Sequence, residues 1–124
     1  MEIRIQIPNS ILTVLNQLYE LEQKLNKQSD PANLRRNLGK MKDALAEEGF
    51  PDTGGGRICL AYDDPMGQPF KETRTDLEAT IAGSGTENLV VVEVIKPIIR
   101  ASLRDGVSLV VQKGIVIVES RKEP

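Results

Sequence analysis

The sequence predicts an α+β fold in which a helical N-terminal region precedes a small, mainly antiparallel β-domain. Apolar residues recur at helical spacing before residue 50, whereas short runs rich in valine and isoleucine follow residue 57. Between them, residues 52–56 form a glycine-rich segment that is typical of a linker or an exposed loop. We therefore divide the chain into a helical region (1–50), a linker (51–56), a β-domain (57–120) and a tail (121–124).

The first helix is predicted by a single apolar stripe whose members are three or four residues apart. These positions are Ile11, Val14, Leu15, Leu18, Leu21 and Leu25. Upstream, apolar and polar residues alternate over residues 3–7, which predicts a short strand that Pro8 ends. Asn9 or Ser10 is then expected to cap the helix.

The second helix is expected to begin at Asp30 and Pro31, because a capping side chain followed by proline is a typical helix start. Gly49 is suited to the position after the last turn. Gly39 weakens the helix interior by about 1 kcal/mol relative to alanine, and close helix packing would be one reason to tolerate it. The apolar stripe of this helix consists of Leu34, Leu38, Met41 and Leu45.

Two amphipathic helices standing alone would leave much of their apolar surface in water. We expect a helical hairpin that pairs across a homodimer as a four-helix bundle, which is the usual way to bury such stripes. Packing of the helices against the chain's own sheet is the alternative. The predicted dimer interface consists of Leu15, Leu18, Leu34, Leu38, Met41 and Leu45.

Beyond the linker, several segments have the composition of strands. The candidates are residues 57–62, the nearly continuous apolar run 89–95, residues 98–103, and residues 107–118 as a hairpin or a bulged pair. Leu77, Ala79 and Ile81 occupy alternate positions of a polar segment. Glu93 interrupts the apolar run, so it either faces solvent on a one-sided sheet or pairs with Lys96 or Arg100.

Composition excludes several classes of function. With 16 basic and 18 acidic residues, the chain has no electrostatic drive toward nucleic acid or an anionic membrane. The chain contains no histidine, which removes Ser-His-Asp and Cys-His catalysis and most zinc sites. The single Cys59, with no transmembrane run or secretory signal, favours a cytoplasmic protein. We expect neither catalytic residues nor a cofactor.

Two local patterns could be mistaken for ligand sites. Asp63 and Asp64 with Asp76 and Glu78 do not have the spacing of an EF-hand loop, so a solvated turn is the better interpretation and no metal is expected. The glycines at 54–56 precede a strand and are not followed by Lys-Ser/Thr, which indicates a hinge and not a phosphate-binding loop.

A series of motifs follows in a fixed order after the linker. Pro65, Gly67 and Phe70 come first, then Leu-Glu-Ala at 77–79, Val-Glu-Val-Ile-Lys at 92–96, and alternating isoleucine and valine at 115–118. This order resembles the C-terminal β-domain of the GrpE family, the nucleotide exchange factors of DnaK-type chaperones. The Asp-Pro that follows phenylalanine in the family is replaced here by Lys-Glu at 71–72. The histidine before Glu-Ala and both arginines of the last strand are also absent.

The resemblance implies a GrpE-head-like β-domain and a cochaperone without enzymatic activity. Upstream, the two helices are similar to the short helix pair of the family's dimeric bundle, whereas the family's long N-terminal helix has no counterpart. The implied partner is a DnaK-type chaperone whose ADP release the chain would promote by favouring the open state. A dimeric adaptor without exchange activity is the alternative, and an enzyme is a third. Candidate partner-binding residues are Glu93, Lys96, Arg100, Arg104, Gln112 and Lys113.

Overall fold

The computed structural model describes residues 5–27, 32–52, 54–103 and 106–121. Within these ranges the helical elements are α1 (Asn9–Asn26), α2 (Ala32–Asp43) and a π-helical segment (Ala44–Glu48). The strands are β1 (Phe50–Pro51), β2 (Arg57–Asp63), β3 (Leu77–Ala82), β4 (Leu89–Lys96), β5 (Ile98–Leu103), β6 (Ser108–Gln112) and β7 (Gly114–Ser120). None of the described helices is long and apolar enough to cross a membrane.

The chain divides into two compact units. The first contains Met1–Tyr62 and Arg100–Leu109, and the second contains Asp63–Ile99 and Val110–Pro124. Strands form one sheet in the order β1-β2-β5-β6 and a second in the order β3-β7-β4.

The prediction of a helical hairpin and a four-helix bundle is wrong. The described residues form two helices and seven strands in two sheets, so the fold is α+β and mainly β. Arg35 donates to the Leu25 carbonyl and Lys42 binds the Glu22 carboxylate. Both contacts involve the last two turns of α1, so α2 meets the C-terminal end of α1.

Helix α1 buries part of its apolar stripe inside the first unit, whereas Val14 and Leu21 are each 49% exposed. Leu15, Leu18 and Tyr19 are buried, and the ring of Tyr19 meets the ring of Tyr62 in β2 edge to face, with centroids 5.6 Å apart. The predicted alternative, packing against the chain's own sheet, thus describes α1. The residue before the helix is Pro8, whose carbonyl accepts from the Ile11 amide at 3.0 Å, and no side chain caps this end.

The end of the second helix depends on Gly49. Helix α2 passes into the π-helical segment, which ends where the Gly49 amide donates to the Ala44 carbonyl at 2.8 Å. Gly49 has φ +65° and ψ −151°, a backbone region that is open almost only to glycine. The predicted start at Asp30 and Pro31 lies outside the described residues. The strand predicted over residues 3–7 is not regular structure at Ile5 to Ile7, and residues 1–4 are not described.

The β3-β7-β4 sheet carries the core of the second unit. Strand β7 lies in the middle, parallel to β3 and antiparallel to β4, so the predicted mainly antiparallel arrangement is wrong for the β3–β7 pair. The inward positions of these strands alternate with outward ones, as the period of a strand requires. The buried cluster consists of Leu77, Leu89, Val91, Ile98, Val116 and Val118.

Residues 107–118 do not form the predicted hairpin or bulged pair, because β6 and β7 belong to different sheets. The change of sheet occurs at Gly114, which is buried. A Cβ atom there would lie 2.7 Å from Leu77 Cδ2 and 2.9 Å from Ile98 Cγ1. Close packing at this point therefore requires glycine. By contrast, β5 has the predicted bounds, residues 98–103.

Candidate partner-binding surface

The C-terminal half of β4 is shaped by two irregularities of pairing. Val91 pairs with Val118 and Glu93 with Ile117, so Val92 has no register partner in β7. In the same way, Ile95 has no register partner between Val94 and Lys96. Each extra residue is a β-bulge, which twists a strand and changes the direction of its side chains. As a result, Glu93, Ile95 and Lys96 are all exposed.

The end of β4 lies beside the junction of β6 and β7. Lys96 is the register partner of Ile115, two positions after Lys113. The Gln112 side-chain amide donates to the Pro97 carbonyl at 3.1 Å, which ties the junction to the residue after β4. We call Glu93, Ile95, Lys96 and Lys113 the β4-end surface. Gln112 is half-buried and acts as its brace.

We do not include the other two predicted partner-binding residues in this surface. Arg100 lies in β5 and is half-buried with an interaction partner, and Arg104 is outside the described residues. Among the predicted dimer-interface residues, Leu15, Leu18 and Leu38 are buried within the single chain. Leu34 and Met41 are exposed and Leu45 is half-buried.

Ile95 was missed by sequence reasoning. Simple alternation along β4 places Ile95 on the same face as Val91, which is completely buried. The bulges break that alternation, and 54% of Ile95 is exposed. The motif Val-Ile-Lys contains no turn residue or glycine that would have indicated a bulge.

The other half of β4 is covered by a loop segment. Along residues 67–70, the Gly67 and Phe70 amides donate to the Val91 and Leu89 carbonyls, and the Val91 amide donates back to Gln68. Arg74 holds this segment in place: its guanidinium binds both carboxylate oxygens of Asp76 at 3.0 Å and also the Gln68 side chain at 3.1 Å. The partner-accessible part of β4 is thereby limited to its C-terminal half.

A separate polar cluster lies in the first unit. The Tyr62 hydroxyl donates to Glu22 Oε1 at 3.0 Å, and Lys42 Nζ lies 2.9 Å from Glu22 Oε2 and 4.9 Å from the Tyr62 ring centroid. Burial, then the hydrogen bond to Glu22 and its negative charge, raise the pKa of Tyr62 well above its ordinary value. This cluster connects α1, α2 and β2, and we assign it a structural role.

This cluster predicts that stability falls in alkaline solution. Because the folded state holds the Tyr62 proton more tightly than the unfolded state does, the contribution is complete below about pH 10 and is lost as the pH rises above it. Between pH 9 and pH 11 the free energy of unfolding should fall less in Tyr62→Phe than in the unmodified protein. Urea unfolding at several pH values measures this difference. An equal fall in unfolding free energy with pH for the two proteins would contradict the structural role of the cluster.

No group of three or more His, Cys, Asp or Glu side chains in the described ranges could hold a metal ion. A cavity of about 160 Å³ between the helices is lined by residues that include the paired Glu22 and Lys42. An open groove of about 660 Å³ beside β1 is lined mainly by Ile5, Ile7, Pro8, Phe50, Pro51 and Ile58.

Comparisons with known proteins give no relative for this chain. No protein-family model, curated protein or solved structure matches it.

Proposed function

We propose that this chain is a GrpE-like cochaperone that binds a DnaK-type chaperone through the β4-end surface and promotes release of ADP. The observation that carries the proposal is the β4-end surface itself. Exposed Ile95 lies in the same strand end as exposed Glu93 and Lys96, and exposed Lys113 is two positions from Ile115, the register partner of Lys96. These residues belong to the segments whose order resembles the GrpE β-domain. Because the predicted four-helix bundle is wrong, the helical region gives the proposal no support.

The composition of the surface suits protein recognition. An apolar anchor surrounded by charged residues is the common arrangement of an interface, with the apolar centre providing affinity and the charges providing steering and specificity. The hydrogen bond from Gln112 to Pro97 and the pairing of β4 in a sheet both restrict the backbone beside this surface, which reduces the entropy lost on binding. Exchange requires only that the surface binds the open state of the chaperone better than the closed state.

The direct test measures release of a fluorescent ADP analogue from a DnaK-type chaperone with increasing amounts of this protein. We expect a saturable acceleration. The double variant Lys96→Glu/Lys113→Glu should raise the concentration for half-maximal acceleration at least about tenfold, equivalent to about 1.4 kcal/mol. Ile95→Asp should act similarly, because it removes the apolar centre.

The matched control is Lys71→Glu, which reverses an exposed charge of the same unit outside the β4-end surface. It should leave the acceleration unchanged. A further readout is ionic strength, because contacts made by peripheral charges weaken as salt is added. Binding without acceleration would favour the adaptor function, and absence of binding would overturn the proposal.

A further inference from the structure

The two outer strands of the β3-β7-β4 sheet differ in how their free edges are protected. Strand β4 is covered along its first half by residues 67–70 and is bulged and charged along its second half. Covering, bulges and charges are the devices by which proteins protect sheet edges against pairing with other chains. Strand β3 has little of this protection.

Strand β3 pairs with β7 over six consecutive positions, from Leu77↔Gly114 to Ala82↔Glu119, without a register shift. Among the described residues, it is hydrogen-bonded to a strand on that side alone. Its other edge is therefore a regular row of backbone donors and acceptors. The sequence Leu-Glu-Ala-Thr-Ile-Ala contains neither proline nor lysine, the residues that most often blunt an edge.

The side chains beside this edge indicate what could pair with it. On the core-facing side, Ile81 follows Leu77 and Ala79 but lies beyond the buried cluster, and 42% of it is exposed. On the outward side, Glu78 of β3 and Glu119 of β7 are exposed. The two strands contain no basic residue. The edge therefore presents an apolar contact on one face and negative charge on the other.

We propose that the free edge of β3 binds an extended peptide segment of a partner protein by adding a strand to the sheet. The complementary segment alternates apolar residues, which cover Ile81 and Ala79, with lysine or arginine residues, which face Glu78. Main-chain hydrogen bonds provide affinity in this mode, and alternate side chains provide specificity. The site is on the opposite edge of the sheet from the β4-end surface and does not depend on the cochaperone function.

The test uses fluorescein-labelled hexapeptides of alternating lysine and valine, and of alternating glutamate and valine, with anisotropy as the measurement. We expect the lysine peptide to bind at least tenfold more tightly than the glutamate peptide. Glu78→Lys should reverse this preference. Glu72→Lys is the matched control, since it makes the same change at an exposed loop position, and it should keep the preference.

Backbone pairing is tested separately with two N-methylated lysine peptides, one methylated at odd positions and the other at even positions. Only one edge of an added strand faces β3, so one isomer should bind as before and the other should lose at least tenfold in affinity. Equal effects of the two isomers, or no binding of the unmethylated peptide, would overturn the proposal.

A second copy of the chain is the competing occupant of this edge. Sedimentation of the protein alone detects it. A dimer that Ile81→Lys converts to monomer would show that β3 pairs with its own copy and would overturn the peptide proposal. A sedimentation profile that Ile81→Lys leaves unchanged supports it.

Discussion

Gly49→Ala is expected to destabilise the protein by about 2–5 kcal/mol, whereas Gly39→Ala is expected to stabilise it by up to about 1 kcal/mol. Both glycines are in the helical region, and the substitution adds one methyl group in each case. The opposite signs arise from backbone conformation and from the space available for a Cβ atom.

At Gly49 two costs add. Its φ of +65° with ψ −151° is strained for any residue with a side chain, and a Cβ would also collide with the backbone carbonyl of Ile58 in β2. A backbone atom within a sheet cannot move away as a flexible side chain can. The collision therefore displaces either the helix end or β2, and both belong to the first unit.

At Gly39 neither cost is present. The residue is inside α2, and no atom outside its own helix turn lies within 4 Å of the position of a Cβ. Close helix packing, the reason suggested for a glycine at this position, is therefore wrong. Alanine at position 39 should stabilise α2 through its higher helix propensity. Urea unfolding of both variants measures the pair. A neutral Gly49→Ala or a strongly destabilised Gly39→Ala would contradict this account of the helix end.

The apolar periodicity of the helices could predict which of their faces is apolar, but not the partner of that face. A stripe with steps of three and four shows that a helix has an apolar face, and Leu15, Leu18 and Leu38 are indeed buried. Periodicity does not say what covers the face. In this chain α1 contacts β2 through Tyr19 and Tyr62, which are distant in sequence.

For the strands too, the sequence predicts local features but not contacts between distant residues. Residues 98–103 were predicted with their correct bounds because isoleucine, leucine and the neighbouring proline indicate them locally. Strands β6 and β7 belong to different sheets, and between them Gly114 packs where a Cβ would collide with Leu77 and Ile98. No local sequence pattern contains these distant neighbours. In the candidate site, polar residues such as Lys96 could be chosen from the sequence. Ile95 could not, because a bulge alters its direction.

Leu38→Asp is expected to destabilise the first unit by about 3–5 kcal/mol, while Leu34→Asp should change stability by less than about 1 kcal/mol. The two leucines are one helical turn apart on α2, and the substitution is identical. Leu38 is 5% exposed within the single chain, whereas Leu34 is 50% exposed. An aspartate at 38 would bury a charge, but one at 34 would remain in water.

This pair also separates the observed fold from a helical bundle. Both residues belong to the predicted dimer stripe, so in a four-helix bundle each substitution would place a charge in the interface and dissociate the oligomer. In the observed fold, Leu38→Asp acts on the folding of one chain and Leu34→Asp does not. Urea unfolding with sedimentation at the same protein concentration measures both quantities. Equal losses of stability for the two variants would contradict the burial of Leu38 by its own chain.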